Sequence, residues 1–443
     1  MLVIVFQAKF LPKRLVTFME NCQKRLLAAC ISLTFVQIAN ADESIRWNGY
    51  LNVVGGILKD APRNDTTTEK QYPGHGTYEH QLTFDSQTSG ALQATKVLDE
   101  KMYVTAQAYA EGSTNGYDAN LKWFYLTYNP DDSSSFRVGR IGMPLYFYSD
   151  FLNVGFTYQW VSPPIESYQY DTSLTGIDYV YRGVSGNFEW TAETYFGAIN
   201  QFIASLNGDV NTRNTTGLNL MTVYDGWLTL RVNGLSQKAT LINDALNAED
   251  ILDGGLAQAQ SQMGLPNDLV AAIRSEALPI LQRKFDLDNF SVKYYGVFVK
   301  ADFDSLSFAT EWNRSDTPSY LLNYYDSWYV TGAYRINDVL FHLTYSTVKS
   351  ELAKEAVNDS NATLGGFTPD ALGSYFASQI GANVAAASAR KRHAVSAGVR
   401  IDTTANTALK FEVTQFEERE TLPNENAGIG KNLLFRTALN VTF

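Results

Sequence analysis

Cysteine and histidine are scarce in this sequence. Its 443 residues include only two cysteines, Cys22 and Cys30, and both lie near the N-terminus. The remainder therefore cannot hold a disulfide framework, thiol chemistry or a zinc site with a cysteine ligand. Among the four histidines only His75 and His80 are close, and their spacing matches no metal-binding motif. We expect no metal ion and no cofactor.

An excess of positive charge is also missing. Lys and Arg number 35 against 46 Asp and Glu, so the formal net charge is −11. Proteins that bind nucleic acid neutralise its phosphates with Lys and Arg, and an acidic chain is poorly suited to that. We therefore expect no nucleic-acid partner.

Apolar runs long enough to cross a bilayer as a helix are lacking as well. The longest candidate covers residues 26–38 and is too short. It follows the basic pair Lys24 and Arg25 and precedes Ala39-Asn40-Ala41, a small-x-small cleavage site. This order predicts a signal peptide over residues 1–41, with residues 42–443 exported as a single domain.

Two alternatives stand beside this interpretation of the N-terminus. The residues before Met19 are unusual for a signal peptide, so Met19 is a second candidate for the start of the chain. The sequence Leu27-Ala28-Ala29-Cys30 is similar to a lipoprotein cleavage box, but most of the apolar run follows the cysteine and does not precede it. Removal of residues 1–41 would take away five basic residues and one acidic residue, leaving a net charge of −15.

Past residue 41 the recurring pattern is alternation with period two, rich in Tyr, Phe, Trp, Val and Thr. The final segment is clearest, because the odd-numbered residues from Leu433 to Phe443 are mostly apolar and the even-numbered ones include Arg436 and Asn440. One face suits lipid and the other suits water. Strands can cross a bilayer only when every backbone group is paired, so the pattern predicts an all-β, closed, antiparallel transmembrane barrel.

Sixteen segments fit this pattern, an even number as single-chain bacterial barrels require. The predicted strands are 44–58, 77–97, 102–111, 119–129, 135–142, 175–182, 187–199, 216–225, 227–239, 289–303, 306–314, 327–336, 339–350, 393–403, 407–417 and 432–443.

The connections between these strands alternate between short and long. Short ones are rich in the turn-forming residues Asp, Asn, Gly and Ser. The long ones are predicted at about 59–76, 112–118, 143–174, 200–215, 240–288, 315–326, 351–392 and 418–431. Short periplasmic turns and long extracellular loops are typical of outer-membrane barrels.

Two of the long connections, 240–288 and 351–392, contain residues with helical spacing, at 245–281 and 370–391. These segments could form a lid, a receptor surface or a subunit contact. They could equally be plain surface insertions.

The sequence resembles the general bacterial porins over the whole exported chain, in particular a poorly characterised proteobacterial subgroup. The terminal strand Leu439-Asn440-Val441-Thr442-Phe443 resembles the assembly signature of outer-membrane proteins, and Phe136-Arg137-Val138-Gly139-Arg140 resembles the porin strand that enters an inward-folded third loop. The resemblance implies an outer-membrane homotrimer, surrounded by lipid, whose channels pass small hydrophilic solutes and ions by diffusion. It implies no particular substrate.

A third loop folded into the lumen would narrow a sixteen-stranded barrel, which is otherwise wide enough for an aqueous channel. Charges at the narrow point would then set ion selectivity. Asp150, Glu166 and Asp171 are the candidate acidic residues of this loop, and its aromatic residues would pack against the wall. The alternative is an ordinary surface loop anchored by its tyrosines.

Basic residues on the opposite wall complete the predicted pore constriction. Strand alternation places Arg46, Arg231, Arg400 and Arg436 on the lumen side, where a charge costs less than it would in lipid. Arg140 is taken from the porin resemblance, and Arg137 competes with it. Because the chain is acidic but this wall is rich in arginine, we expect no strong ion preference.

Two other classes of function compete with the porin interpretation. A barrel enzyme would need a base, and His342, beside Thr344 and Ser346 on the predicted lumen side, is the candidate. The sequence contains neither G-x-S-x-G nor H-E-x-x-H, so we expect no enzymatic activity. A substrate-selective channel or a surface adhesin is the other possibility, suggested by the two longest loops.

Overall fold

The computed structural model describes residues 45–59, 78, 80–113, 116–168, 173–203, 208–243, 246–321, 324–388, 391–419 and 428–443. The predicted signal peptide, with its alternatives at Met19 and Cys30, lies outside these residues, as does Asp171. The β-strands of the described ranges are β1 Ile45–Lys59, β2 Ser89–Val97, β3 Met102–Ser113, β4 Gly116–Tyr128, β5 Ser134–Gly142, β6 Ser173–Ser185, β7 Phe188–Ala198, β8 Asn200–Ile203, β9 Gly208–Tyr224, β10 Leu228–Ile242, β11 Phe290–Phe303, β12 Leu306–Asp316, β13 Tyr324–Ile336, β14 Val339–Glu351, β15 Lys391–Thr404, β16 Thr407–Arg419 and β17 Gly428–Thr442.

These seventeen strands form one closed antiparallel barrel with sixteen strand positions, because β7 and β8 share one position. The short β8 continues β7, since both pair with β9 and only Ile199 separates them. The break between β7 and β8 lies opposite Asn214 of β9, whose backbone has a positive φ of 53°. Closure comes from β1 and β17, which pair from Tyr50 with Thr442 to Lys59 with Leu433. The predicted closed barrel of sixteen strands is confirmed.

Side chains alternate between the lumen and the outer face, as the period-two pattern predicts. In β17 Leu434, Arg436 and Asn440 are buried inside, whereas Phe435 is 39% exposed on the outside. The barrel therefore has an apolar outer surface, and its buried charged and amide side chains face the interior. Soluble proteins have the opposite arrangement, and an apolar outer surface is what a barrel surrounded by lipid requires.

The tight turns form where the sequence has Asp, Asn and Gly. Asp225 and Gly226 take positive φ angles of 49° and 72° in the three-residue connection between β9 and β10, and Asp-Gly is favoured where a hairpin turn needs two such angles. Asp304 and Asn337 also take positive φ in the turns before β12 and β14. Asp and Asn tolerate this region better than other residues that carry a Cβ.

Three predicted segments differ from the structure. The connections predicted at 112–118 and 200–215 are mostly strand, because the β3–β4 and β8–β9 ladders continue to residues 113, 116, 203 and 208. Long and short connections therefore do not alternate strictly. The strand predicted over 77–97 begins only at Ser89, apart from a bridge between Thr83 and Gly56. There the ring of Tyr78 occupies the space that a Cβ on Gly56 would need.

Four helices are described in the two longest connections, and together we call them the helical cap. The β10–β11 connection forms α1 Ala248–Met263 and α2 Asn267–Lys284, and the β14–β15 connection forms α3 Lys354–Ser360 and α4 Pro369–Ser388. None of the helices described is long and apolar enough to cross a membrane.

The helical cap has its own apolar core, which includes Leu252, Ile273 and Leu281. Close packing of α2 against α4 depends on glycine, because a Cβ on Gly373 would lie 2.5 Å from the Cβ of Glu276. The two connections therefore form one packed unit, although about a hundred residues separate them in sequence.

Candidate pore constriction

The described part of the connection between β5 and β6 lies inside the barrel. We call residues 143–168 the inner loop. Its Trp160 donates from Nε1 to Thr344 Oγ1 on β14 at 2.8 Å, and its Gln159 donates to Thr331 Oγ1 on β13 at 3.2 Å. Both partners face the lumen, so the loop crosses the interior to reach strands far away in sequence.

Aromatic packing holds one side of the inner loop against the wall. The ring of Phe147 stacks on Phe298 of β11 at a centroid distance of 3.7 Å, and Trp160 meets Tyr329 of β13 edge to face at 5.7 Å. Such pairs add stability beyond the area that they bury. The buried residues of this cluster are Ile141, Met143, Leu145, Tyr146, Tyr148, Tyr158, Trp160, Tyr168, Leu174, Tyr195, Ile199, Leu235, Tyr294, Phe298, Ala309 and Tyr329.

A polar clamp fixes the start and the end of the inner loop to β10 and β12. The carboxylate of Glu311 accepts hydrogen bonds from the backbone N–H of Phe147 at 2.8 Å and from the hydroxyl of Tyr168. Arg231 lies 3.9 Å from Glu311 and donates to the carbonyl oxygen of Pro144. One buried ion pair thus binds both ends of the loop.

Basic residues of β15 and β16 bind the middle of the loop. Arg400 Nη1 donates to the carbonyl oxygens of Phe156 and Tyr158 at 2.5 and 3.0 Å. Lys410 Nζ donates to those of Gly155 and Trp160 at 2.5 and 2.6 Å. An irregular backbone inside a barrel has no strand partner, so its carbonyls need donors from the wall.

The predicted basic wall residues have a different role from the one expected of pore-lining charges. Arg231, Arg400 and Arg436 face the lumen, but they are only 5%, 8% and 5% exposed. Arg436 donates to Ser162 Oγ at 2.6 Å and pairs with Glu412. The sequence pattern identified their side of the strand, but it could not indicate that the loop covers them.

Glu166 is also removed from the open lumen. It is 1% exposed, its Oε1 lies 2.8 Å from Arg392 Nε, and Ser346 Oγ donates to its Oε2 at 2.8 Å. This carboxylate anchors the inner loop to β14 and β15, contrary to its expected place in the pore lining.

A different group of charges lies on the side that the loop leaves open. Arg137 of β5 donates from Nε to Asp178 Oδ1 at 3.0 Å and from Nη2 to Glu193 Oε1 at 2.8 Å. Asp150, in a short 3-10 turn of the inner loop, is exposed and close enough to interact electrostatically with Arg137 and Glu193. We call these four residues the open-side cluster. Three carboxylates there surround one guanidinium group.

The remaining predicted residues lie elsewhere. Arg46 is exposed near the start of β1, far along the strand from the inner loop. Arg140 is in register with Phe124 and Thr175, which are exposed on the outer face, and its Nε donates to the carbonyl oxygen of Lys122 at 3.0 Å. The register is continuous through β5, so Arg140 shares the outward face with Phe136 and Val138.

Asp178 and Glu193 were not predicted as site residues, although the signal was available. Each lies among apolar neighbours on a strand whose opposite face is aromatic. Strand alternation places both carboxylates in the lumen.

The histidine considered for catalysis is enclosed. His342 is 5% exposed beneath the inner loop, and its Nε2 lies 3.6 Å from Glu412 Oε2. The neighbouring hydroxyls of Thr344 and Ser346 bind Trp160 and Glu166. A substrate from outside has no direct access to this group. The described residues also contain no group of three His, Cys, Asp or Glu side chains able to hold a metal ion.

No protein-family model matches the sequence, and a comparison with curated proteins finds no match either. Solved structures do match. The outer membrane channel DcaP of Acinetobacter baumannii superposes with a TM-score of 0.51 at 10% identity, covering 90% of this chain and 97% of that one. The anion-selective porin from Comamonas acidovorans gives 0.50 at 12% identity, covering 90% and 99%.

The barrel has a porin fold. A loop-deletion form of OmpT, an outer membrane protein of Vibrio cholerae, superposes on it equally well, with a TM-score of 0.50 at 10% identity over 90% of this chain and 99% of that one. The identities are low, so these porin-like structures define the architecture of the chain.

Proposed function

We propose that the protein is an outer-membrane porin, a water-filled channel through which small hydrophilic solutes and ions diffuse passively. The observation that carries this proposal is the one-sided attachment of the inner loop. The loop binds the wall from β10 through β17 to β1, where Asn52 donates to the carbonyl oxygen of Asn153 at 2.7 Å, while Asp150 on the other side is exposed and Arg137 is 21% exposed. A narrowed but wet lumen is the arrangement that a diffusion channel needs.

The apolar outer face supports placement in the outer membrane, because such a surface is stable in contact with lipid and not in contact with water. The predicted signal peptide at 1–41 agrees with export. We also propose that the protein forms a homotrimer, as the porin resemblance implies.

The open-side cluster supports a preference for cations. Asp178 and Glu193 are buried and paired with Arg137, so Asp150 is the exposed carboxylate of the cluster, and the basic wall residues are occupied by the inner loop. The neighbour from Comamonas is described as anion-selective. This chain would differ from it, and from the weak preference that its arginine content suggests, because local charge determines selectivity.

Conductance across a planar bilayer under a salt gradient tests the proposal. Stepwise insertion of stable conductances, with a reversal potential on the cation-selective side, is the expected result. Folded barrels that give no conductance would contradict the open channel. A reversal potential on the anion-selective side would contradict the cation preference alone.

A substrate-selective channel or an adhesin is the second candidate, and the helical cap is the observation that favours it. Phe367, between α3 and α4, is 86% exposed, and Met263 at the end of α1 is 66% exposed. Saturable transport of one solute would support a selective channel. Catalysis has weaker support, because His342 is enclosed.

A further inference from the structure

Basic side chains form a row across the outer face of β9, β10 and β11, near the barrel end that carries the long connections. Arg213, Lys238 and Lys293 are exposed there. They share the outward face with exposed apolar residues of the same strands, among them Leu218, Leu220, Leu230, Val232, Tyr295 and Val297. The row therefore borders the apolar surface directly.

The strand register brings like charges together in this row. Lys238 is directly opposite Arg213, and Lys293 is opposite Ser236, two residues from Lys238 on the same face. Residues directly opposite on an antiparallel pair are close neighbours, and like charges there are destabilising. Lys238 Nζ donates only to a neutral group among the contacts described, Ser291 Oγ at 2.7 Å.

Carboxylates near the row do not balance it. Asp209 is opposite Ile242, and Asp288 accepts from Thr240 Oγ1 at 2.6 Å, so both lie farther towards the barrel end. Asp316 is opposite Lys293, but Arg314 Nε already lies 2.8 Å from its Oδ1. Among the described residues, Arg213, Lys238 and Lys293 therefore outnumber the carboxylates at the same height along the barrel.

The opposite end of the same barrel wall has no such row. Outward positions next to the short turns are apolar in β10–β14, at Leu228, Phe303, Leu306, Ile336 and Val339. Like charges recur at the loop end, where Lys349 of β14 is opposite Lys391 of β15, although Lys349 also pairs with Glu351 at 3.1 Å. A one-sided basic belt above an apolar surface suits a membrane leaflet whose headgroups are anionic.

We propose that Arg213, Lys238 and Lys293 bind the phosphate groups of an anionic membrane lipid, whose acyl chains lie along the apolar surface of β9–β11. Phosphate oxygens accept charge-assisted hydrogen bonds and relieve the repulsion between Arg213 and Lys238. The inference depends on the barrel being in the outer membrane and not on its being an open channel.

Native mass spectrometry of the protein purified from outer membranes, delipidated in detergent and kept in EDTA, tests this site. The probe is bisphosphorylated hexa-acylated lipid A. The site variant is Arg213→Gln/Lys238→Gln/Lys293→Gln. Its control, Arg46→Gln/Lys101→Gln/Arg182→Gln, removes the same charge from exposed residues near the other end of the barrel.

We expect the site variant to need about thirtyfold more lipid A for half-saturation, since each basic residue near an anionic surface contributes to binding, and the control to match the native protein. Equal binding by all three proteins, or equal weakening of both variants, would overturn the proposal. If the triple variant does not fold, Lys238→Gln alone should weaken binding about threefold. Displacement of lipid A by an equal concentration of inorganic pyrophosphate would mean that the site takes free phosphate, and would overturn the assignment to lipid.

Discussion

Lys410, buried on β16, donates a hydrogen bond from its ammonium group to the carbonyl oxygen of Trp160 at 2.6 Å. A second bond reaches Gly155 at 2.5 Å. One wall cation therefore satisfies two carbonyls of the inner loop that no strand could pair. Arg231 and Arg400 do the same for other parts of the loop. The basic wall of this barrel is used mainly to hold a backbone in place.

Replacement of Lys410 by methionine should loosen the inner loop while leaving the barrel intact. The change keeps the apolar stem but leaves the carbonyls of Gly155 and Trp160 without a donor, at a cost of about 1–3 kcal/mol for each buried group. Limited proteolysis of the folded protein should then cut within residues 143–168, and current fluctuations should increase.

The control for this experiment is Lys300→Met. Lys300 faces the lumen near the short turns and forms a partly exposed ion pair with Asp302 at 2.8 Å, worth less than about 1 kcal/mol. Equal proteolysis of the two variants would show that Lys410 does not anchor the loop.

The sequence was sufficient to predict the barrel and the facing of its side chains, because both follow from alternation along single strands. Arg231, Arg400 and Arg436 were placed correctly in the lumen for this reason. Their burial could not be predicted, because it depends on the path of the inner loop across the interior. The same limit applies to Glu166, which binds Arg392 more than two hundred residues away.

The porin resemblance and contacts between distant connections account for the other errors. Arg140 was taken from the porin resemblance, whereas regular alternation through β5 places it on the outward face with Phe136 and Val138. The packing of α2 against α4 was equally hidden, since it joins two separate connections through Gly373.

Asp150→Asn should shift the reversal potential of the channel towards anions. Asp150 is the exposed carboxylate of the open-side cluster, so its neutralisation removes one negative charge where ions pass. The measurement is the zero-current potential in a salt gradient. Asp225→Asn is the control, because Asp225 lies in a tight turn whose positive φ asparagine tolerates. The idea fails if both variants keep the native potential.

Gly373→Leu should unfold the helical cap and spare the barrel. A side chain at this position would collide with Glu276 and with the backbone nitrogen of Ala277, 2.5 and 3.2 Å from the new Cβ. Overpacking of this kind costs about 1–3 kcal/mol. Circular dichroism should record less helix with unchanged strand content.

The matched control for this cap variant is at Gly254, in the middle of α1. Its Cβ would meet nothing within 4 Å, so Gly254→Ala should stabilise the helix by about 1 kcal/mol. Loss of helix in Gly254→Ala as well would indicate that the cap is sensitive to any change, and the packing argument would not hold.

The buried tyrosines of the inner loop should keep their protons at a pH that ionises exposed ones. Burial raises the pKa of Tyr148, Tyr158 and Tyr168 above the ordinary value of about 10. A raised pKa means that the fold favours the neutral phenol. The stability from this source is therefore complete below about pH 10 and is lost only as the pH rises through the raised values. Alkaline titration followed by phenolate absorbance should show a late phase, which Tyr148→Phe/Tyr158→Phe reduces. A single phase near pH 10 in the folded protein would mean that solvent reaches these rings and that the loop is not packed against the wall.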